Sequence, residues 1–137
     1  MKYMILAYAS QRDYDAVAGK DTGGPAWSPE VLAALKQFMM SVNKELEESG
    51  ELVETRGLAA PVHTRRLGSR DGVPFVTDGP YAETQEVLAS YWIVECESFD
   101  RATEIAARLG QAPHPGDAYD AYSDVRPIID SSADLGF

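Results

Sequence analysis

Short apolar runs separated by polar turns predict a chain built largely of strands. The first run, residues 3–8, is apolar at every position, which is typical of a central strand buried on both faces. The last run contains Pro127, which has no backbone N–H for a ladder, so its strand is expected at an edge of the sheet. The predicted strands cover residues 3–8, 52–58, 63–67, 73–77, 88–96 and 121–129, with the third and fourth forming a hairpin around residues 69–72.

Two longer segments carry apolar residues at the spacing of an α-helix. The first begins at Ser28, whose hydroxyl is placed to cap it, and Pro29, which suits the first helical position; Gly50 ends it. Its apolar stripe consists of Val31, Leu32, Leu35, Phe38, Met39, Val42 and Leu46. The second helix is predicted over residues 99–109, with Ser98 as its cap.

Residues 9–27 separate the first strand from the first helix and contain three glycines and a proline among charged residues. This composition interrupts both helix and strand patterns, so a long loop is expected, either disordered or acting as a lid. The sequence leaves these two alternatives open.

The order strand, helix, strand, hairpin, strand, helix, strand predicts an α+β fold. The corresponding architecture is a ferredoxin-like sandwich with an inserted β-hairpin, in which both helices cover one face of the sheet. Residues 1–130 are expected to form a single domain, and the polar residues 131–137 a frayed C-terminal tail.

The strand over residues 88–96 is apolar on both sides. Its alternation places Ala89, Tyr91 and Ile93 on one side, and Leu88, Trp92, Val94 and Cys96 on the other. Because two helices cover only one face, the second face predicts face-to-face packing with another copy of the chain, as a homodimer. The alternative is that the hairpin and residues 9–27 of the same chain cover it.

The formal net charge of −10 argues against direct binding of nucleic acid, because proteins that bind phosphate backbones need basic surfaces. The nearest approach to a basic patch is formed by Arg65, Arg66 and Arg70. These arginines either hold an anion or form a solvated hairpin edge.

Cysteine usage and hydropathy indicate a cytoplasmic location. Cys96 is the one cysteine, so it forms no internal disulfide, and its place at the end of an apolar strand favours inert packing over a nucleophilic role. The apolar N-terminus mimics a signal peptide but is too short for one. No apolar run approaches the roughly 18 residues of a membrane span, so no membrane association is expected.

The most distinctive segment is the polar, turn-rich stretch over residues 78–86. A tight hairpin connection takes roughly 2 to 5 residues, so this segment is longer than a turn requires. Its sequence, Asp78-Gly79-Pro80-Tyr81-Ala82-Glu83-Thr84-Gln85-Glu86, resembles the Asp-Gly-Pro-Phe-Ala-Glu-Thr-Lys-Glu signature of the DGPF branch of the YCII-related family. The resemblance extends from Met1-Lys2-Tyr3-Met4 to Val125-Arg126-Pro127-Ile128, over most of the chain.

This resemblance implies a dimeric α+β barrel without a generally established activity. Similar proteins are often associated with extracytoplasmic-function sigma factors, which implies a sensor or accessory role as an alternative to an enzyme. Two departures limit what carries over, because Tyr81 and Gln85 stand where the signature has Phe and Lys. The wider family also carries a histidine in the first helix, suggested to act with an aspartate. Residues 29–49 contain no histidine, so that mechanism does not transfer.

Two carboxylates of the signature, Asp78 and Glu83, are candidate catalytic residues. Asp78 follows a strand, and Gly79-Pro80 fixes the backbone beyond it; its alternative role is to hold the turn through hydrogen bonds to backbone N–H groups. Tyr81 and Glu83 would project to the same side if the segment is extended. A carboxyl group half-buried beside an apolar wall such as Trp92 would suit proton transfer.

His63 is the third catalytic candidate, because histidine titrates near neutrality, although such a residue is more often a surface or strand residue. His114, between two prolines, is a weaker candidate. The two histidines lie far apart without an acidic triad, so neither a metal nor a cofactor is expected. The residues assigned to substrate binding are Gly79, Pro80, Tyr81, Thr84 and Trp92.

Together these features predict a homodimer with a small-molecule pocket and cofactor-independent acid–base catalysis near Asp78. The alternative is a non-catalytic ligand-binding or accessory module associated with sigma-factor regulation. A third possibility, haem or metal binding, lacks a convincing set of ligands.

Overall fold

The computed structural model describes residues 1–117 and 120–130. In chain order its elements are β1 (Lys2–Ala9), α1 (Gln11–Val17), α2 (Pro29–Glu48), β2 (Leu52–Gly57), a 3₁₀ turn (Pro61–His63), β3 (Arg65–Arg70), β4 (Val73–Asp78), β5 (Val87–Glu95), α3 (Phe99–Leu109) and β6 (Ser123–Pro127). The predicted tail over residues 131–137 lies outside the part of the chain that the structure describes.

Four strands form one antiparallel sheet in the order β2, β5, β1, β6. β1 is central, as its uninterrupted apolar run predicts, and β6 with Pro127 lies at an edge. β3 and β4 form a separate two-stranded hairpin, inserted in the chain between β2 and β5. The α+β, ferredoxin-like fold predicted from the order of elements is therefore confirmed.

The core lies between the sheet and the two longer helices, α2 and α3. The Ser28 hydroxyl accepts a hydrogen bond from the Val31 N–H at 3.2 Å and caps α2 as predicted. The buried apolar residues are Tyr3, Ile5, Val42, Leu46, Trp92, Val94, Cys96, Ala102, Ile105, Ala106 and Leu109. Cys96 packs in this core, in agreement with its predicted structural role. Among the described residues, no helix has the length and hydrophobicity that a membrane crossing requires.

A β-bulge changes which side chains of β5 face away from the helices. Ala7 pairs with Ser90. The next residue, Tyr8, pairs with Leu88, which leaves Ala89 as an extra residue in β5. Cross-strand partners share a face, so Leu88 lies with Tyr8 on the side away from the helices. The prediction that Leu88 lies on the same side of β5 as Trp92, Val94 and Cys96 is wrong, because the bulge breaks the simple alternation of the strand.

Residues 9–27 do not form the continuous loop that their glycine content predicts. Gln11–Val17 form α1, which begins with a capping box. The Ser10 hydroxyl accepts from the Asp13 N–H at 3.2 Å, and the Asp13 carboxylate accepts from the Ser10 N–H at 2.8 Å. The serine and the carboxylate three residues later were visible in the sequence. Because α1 buries none of its residues, it has no apolar stripe to mark it as a helix.

The hairpin starts two residues later than predicted. The strand expected over residues 63–67 begins at Arg65, because Pro61–His63 form a 3₁₀ turn. Asp71 and Gly72 make the connection to β4, with φ values of 52° and 80°. Left-handed values at both positions are typical of an Asp-Gly hairpin turn. The closing strand, β6, is shorter at both ends than the predicted residues 121–129.

Candidate functional site

The signature segment leads from the hairpin into β5, and part of it lines an open cleft of about 260 Å³. α1 and the 3₁₀ turn contribute the other walls. The residues that line the cleft are Gln11, Asp15, Pro61, Val62, Gly79, Tyr81 and Glu83. The structure thus combines the signature with Gln11 and Asp15 of α1. The sequence pattern did not indicate these two residues, because the composition of residues 9–27 predicts a loop.

Gln11 ties α1 to the 3₁₀ turn. Its side-chain oxygen accepts a hydrogen bond from the Val62 N–H at 2.9 Å, and its amide nitrogen donates to the Asp15 carboxylate at 2.9 Å. The Arg12 N–H donates to the Glu83 carbonyl oxygen at 3.0 Å, so α1 is also bonded to the signature segment. These hydrogen bonds hold the three parts of the cleft together.

Gly79 allows the signature to approach the 3₁₀ turn closely. Its φ is 58°, in the left-handed region that favours glycine, and a Cβ at this position would lie 3.4 Å from the Val62 carbonyl oxygen. The Gly79 N–H donates to the Thr64 carbonyl oxygen at 2.8 Å. The positive φ therefore accounts for the glycine at this position of the signature.

Tyr81 and Glu83 both line the cleft, but this placement does not come from the alternation of side chains in an extended segment. The Gln85 N–H donates to the Ala82 carbonyl oxygen at 3.0 Å and closes a turn, so the segment is not extended. Tyr81 is half-buried, and the Arg66 guanidinium lies 4.6 Å from the centroid of its ring. Glu83 is exposed, and within the described residues its carboxylate makes no ion pair.

Asp15 supplies the second carboxylate of the cleft. It accepts the hydrogen bond from Gln11 and lies 3.5 Å from the Lys20 ammonium group. Its charge is therefore already compensated within the chain. Glu83 is the carboxylate of the cleft that is left to interact with a bound molecule.

Asp78 lies outside the cleft. It is the last residue of β4, and its carboxylate accepts a hydrogen bond from Arg65 Nε at 2.9 Å. The side chain is 74% exposed. The half-buried environment expected for a catalytic Asp78 is therefore absent, because the strand ends at the open end of the hairpin.

Trp92 lies in the core and not beside the acidic residues of the signature. It is 7% exposed, and its indole N–H donates to the Asn43 side-chain oxygen in α2 at 3.0 Å. Trp92 does not line the cleft, because β5 directs this side chain toward the helices, and its role in substrate binding stays a prediction.

His63 belongs to the 3₁₀ turn and not to a strand, and its side chain is exposed. It follows Val62 in the chain but does not line the cleft. Pro80 is half-buried and Thr84 is exposed, and neither lines the cleft. Over residues 1–117 and 120–130, no three histidine, cysteine, aspartate or glutamate side chains are grouped as metal ligands would be.

Two tyrosines and two carboxylates meet at the end of the signature, on the side of the sheet away from the helices. Tyr8 donates to the Asp124 carboxylate at 2.8 Å, and its ring stacks on Tyr122 with a centroid separation of 5.3 Å. The hydrogen bond to Asp124 raises the pKa of Tyr8, and a hydrogen bond to Glu86 raises the pKa of Tyr122. No local pattern identifies this group, since its members come from distant parts of the chain.

The chain is similar to known proteins over most of its length. The family model of the YCII-related domain matches residues 1–122, which include the cleft and the whole signature. An uncharacterized protein of Rhizobium meliloti (strain 1021) is 30% identical over 103 residues, covering 75% of this chain and 80% of that protein. The chain therefore belongs to the YCII-related family.

Proposed function

We propose that the protein is a homodimer that binds a small polar organic molecule in the cleft and carries out acid–base chemistry on it without a bound cofactor. The observation that carries this proposal is the placement of Tyr81 and Glu83, a phenol and a carboxylate of the signature, in one cleft. In these roles Glu83 accepts a proton from the substrate. Tyr81 donates a hydrogen bond to the substrate oxygen on which negative charge develops.

The surroundings of the two side chains support this chemistry. The hydrogen bonds that Gln11 and Arg12 make to the turn and to the signature lie within the chain and hold the walls of the cleft, which reduces the free energy that binding spends on ordering them. The Arg66 guanidinium over the Tyr81 ring places positive charge beside the phenol. Positive charge at this position would stabilise an anionic substrate oxygen.

Of the three predicted catalytic residues, the proposal gives the leading role to Glu83. Catalysis by Asp78 or His63 stays a prediction, and neither side chain lines the cleft. We assign Asp78, paired with Arg65, to holding the end of β4, from which the signature starts. Gly79 brings the signature against the 3₁₀ turn.

A second copy of the chain is proposed to cover the side of the sheet away from the helices. Met4 pairs there with Ile93 and Leu6 with Tyr91, and all four are only half-buried in the single chain. Charged residues flank this apolar centre, namely Glu54 and Arg56 on β2, and Asp124 and Arg126 on β6. Two such faces related by a two-fold axis would bury the apolar centre and leave the charges at the rim.

The alternative cover, by the hairpin and residues 9–27 of the same chain, has little support. Leu67 and Val76 lie opposite each other in the hairpin and are 71% and 59% exposed, so this apolar side of the hairpin is not packed on the sheet. α1 buries none of its residues. Both observations favour cover by another molecule.

A non-catalytic ligand-binding or accessory module, such as one associated with sigma-factor regulation, is the competing candidate. Asp15 is already partnered by Gln11 and Lys20, which leaves Glu83 as the one unpaired carboxylate of the cleft among the residues that the structure describes. This favours the binding module, because a single unpaired carboxylate suffices to orient a ligand. Catalysis also needs a proton acceptor and a proton donor placed on the same substrate. The two candidates therefore differ in whether the bound molecule is converted.

A thermal-shift screen of metabolites tests the proposal. A ligand at 100 times its dissociation constant adds about 2.7 kcal/mol to stability. Glu83→Gln should weaken the response to a true ligand, whereas Glu97→Gln, an exposed glutamate outside the cleft, should not. Nuclear magnetic resonance of the mixture then shows whether the ligand is converted. Binding without conversion supports the accessory module, and ligands that stabilise wild type and Glu83→Gln equally place the site elsewhere.

A further inference from the structure

The two faces of the hairpin differ in charge. On one face Arg65 is neutralised by Asp78, 2.9 Å away. The register of the strands places another set of side chains together on the other face, termed here the cationic face. It consists of Arg66, Gly68, Arg70, Val73, Phe75 and Thr77.

Aromatic rings hold both arginines of the cationic face. The Arg66 guanidinium lies 4.6 Å from the Tyr81 ring centroid, and the Arg70 guanidinium lies 5.3 Å from that of Phe75. In the part of the chain that the structure describes, neither arginine has a carboxylate within ion-pair distance. A guanidinium stacked on a ring keeps N–H groups at its edge available for a carboxylate.

An apolar strip separates the two arginines. The Phe75 ring lies over Gly68 so closely that a Cβ there would be 2.5 Å from the ring. Val73, on the same face, is 63% exposed. The cationic face therefore presents a cation, an apolar centre and a second cation along one strand.

We propose that the cationic face binds an extended acidic segment of another protein, with two carboxylates four residues apart. Arg66 and Arg70 are four residues apart in β3, so their Cα atoms are separated by about 13 Å. An extended segment repeats the same Cα spacing, so two of its carboxylates four residues apart can each face one arginine. Charge complementarity favours an acidic partner here, because this chain of net charge −10 concentrates unpaired cations on one projecting face.

A short acidic segment is favoured over nucleic acid for the same reason. A nucleic acid that extends beyond the hairpin would be repelled by the rest of the chain, which is acidic. A segment confined to the cationic face is separated from much of that charge, because electrostatic interactions are screened over about 8 Å at physiological ionic strength.

Fluorescence anisotropy with the full chain and a labelled heptapeptide, Thr-Glu-Val-Thr-Val-Glu-Thr, tests the proposal. When this peptide is extended, its glutamates lie four residues apart on one side. The comparison peptide, Thr-Glu-Glu-Val-Thr-Val-Thr, has the same composition with its glutamates on opposite sides. We expect the first peptide to bind about tenfold more tightly than the second, and its affinity to fall as salt is added.

A pair of double variants separates the site from general charge. Arg66→Gln/Arg70→Gln should bind the first peptide about tenfold more weakly than wild type. Lys36→Gln/Lys44→Gln removes the same charge from exposed positions of α2 and should bind it as wild type does. Circular dichroism and thermal unfolding establish that both variants are folded.

Several outcomes would overturn the proposal. These are the absence of binding by wild type, equal affinity for the two peptides, and equal loss in the two double variants. Tighter binding of single-stranded oligothymidylate than of the peptide would assign the face to nucleic acid. A change of oligomeric state in Arg66→Gln/Arg70→Gln, measured by light scattering, would assign the face to a second copy of the chain.

Discussion

The Arg65 guanidinium lies 2.9 Å from the Asp78 carboxylate, directly across the hairpin, with 69% and 74% of the two side chains exposed. The pair joins the first residue of β3 to the first residue of the signature. The hydrogen bond from the Gly79 N–H to the Thr64 carbonyl oxygen continues the pairing one step further. Asp78 is thus placed to hold the open end of the hairpin, where the signature leaves it.

Replacement of Asp78 by Asn should change stability little. An exposed ion pair contributes about 0–1 kcal/mol, so we expect the free energy of unfolding in urea to fall by less than about 1 kcal/mol. Arg65→Gln should give a similar value, because it removes the other member of the same pair. Loss of turnover in Asp78→Asn with stability retained would instead support the predicted catalytic role of Asp78.

The ion pair between Glu51 and Arg101 should make the stability of the folded chain depend on pH. Arg101 Nε and Nη2 each donate to a Glu51 oxygen at 2.8 Å, which holds the pKa of Glu51 below its usual value. Because the folded-state pKa is lowered, the contribution of the pair is complete above about pH 5 and is lost as the pH falls through that pKa. Glu51→Gln should cost about 1–2 kcal/mol near pH 7, and its difference from wild type should shrink toward pH 3.

Urea unfolding at about pH 7, 5 and 3.5 measures this effect. Glu104→Gln is the matched control, because Glu104 also pairs with Arg101, at 3.2 Å, but is 68% exposed. The free energy of unfolding of this control variant should be lower than that of wild type by less than about 0.5 kcal/mol. A deficit of Glu51→Gln that persisted undiminished at low pH would contradict the assignment of the effect to this ion pair.

Ile93→Glu should disrupt the proposed homodimer. Ile93 lies among the apolar residues on the side of the sheet away from the helices, where an interface would desolvate the new carboxylate without a partner. Light scattering at micromolar concentration should show a dimer for wild type and a monomer for the variant. Gln37→Glu, at an exposed position of α2, should remain dimeric. A monomeric wild-type chain under these conditions would remove the dimer from the proposal.

Ser10→Ala should loosen the α1 wall of the cleft. The capping box holds a helix that buries none of its own residues, and loss of such a cap costs about 1 kcal/mol. Local opening of α1 should therefore become about fivefold more frequent, as measured by hydrogen exchange of its amides. Ser28→Ala, which removes the cap of α2, should leave exchange in α1 unchanged. Unchanged exchange of α1 in Ser10→Ala would show that contacts with the signature and the 3₁₀ turn hold it instead.

Elements with both an end signal and an apolar face were predictable from the sequence. α3 occupies residues 99–109 as predicted, because Ser98 caps it and its stripe reaches the core. α1 has the cap but no buried face, so the hydrophobic pattern does not predict it. The cleft likewise is only partly predictable from the sequence. Tyr81 and Glu83 belong to a recognisable signature, whereas Gln11 joins them in the cleft through contacts between residues distant in the chain.

The sequence by itself determined the α+β class and the central and edge strands, because local periodicity, capping and composition carry that information. It also identified the signature, through its resemblance to the YCII-related family. Only the tertiary structure decided which side chains share a site. It turned Leu88 to the open face through a bulge, placed Trp92 under α2 and left Asp78 exposed. Strand register and loop closure depend on contacts between distant residues, and no local pattern encodes them.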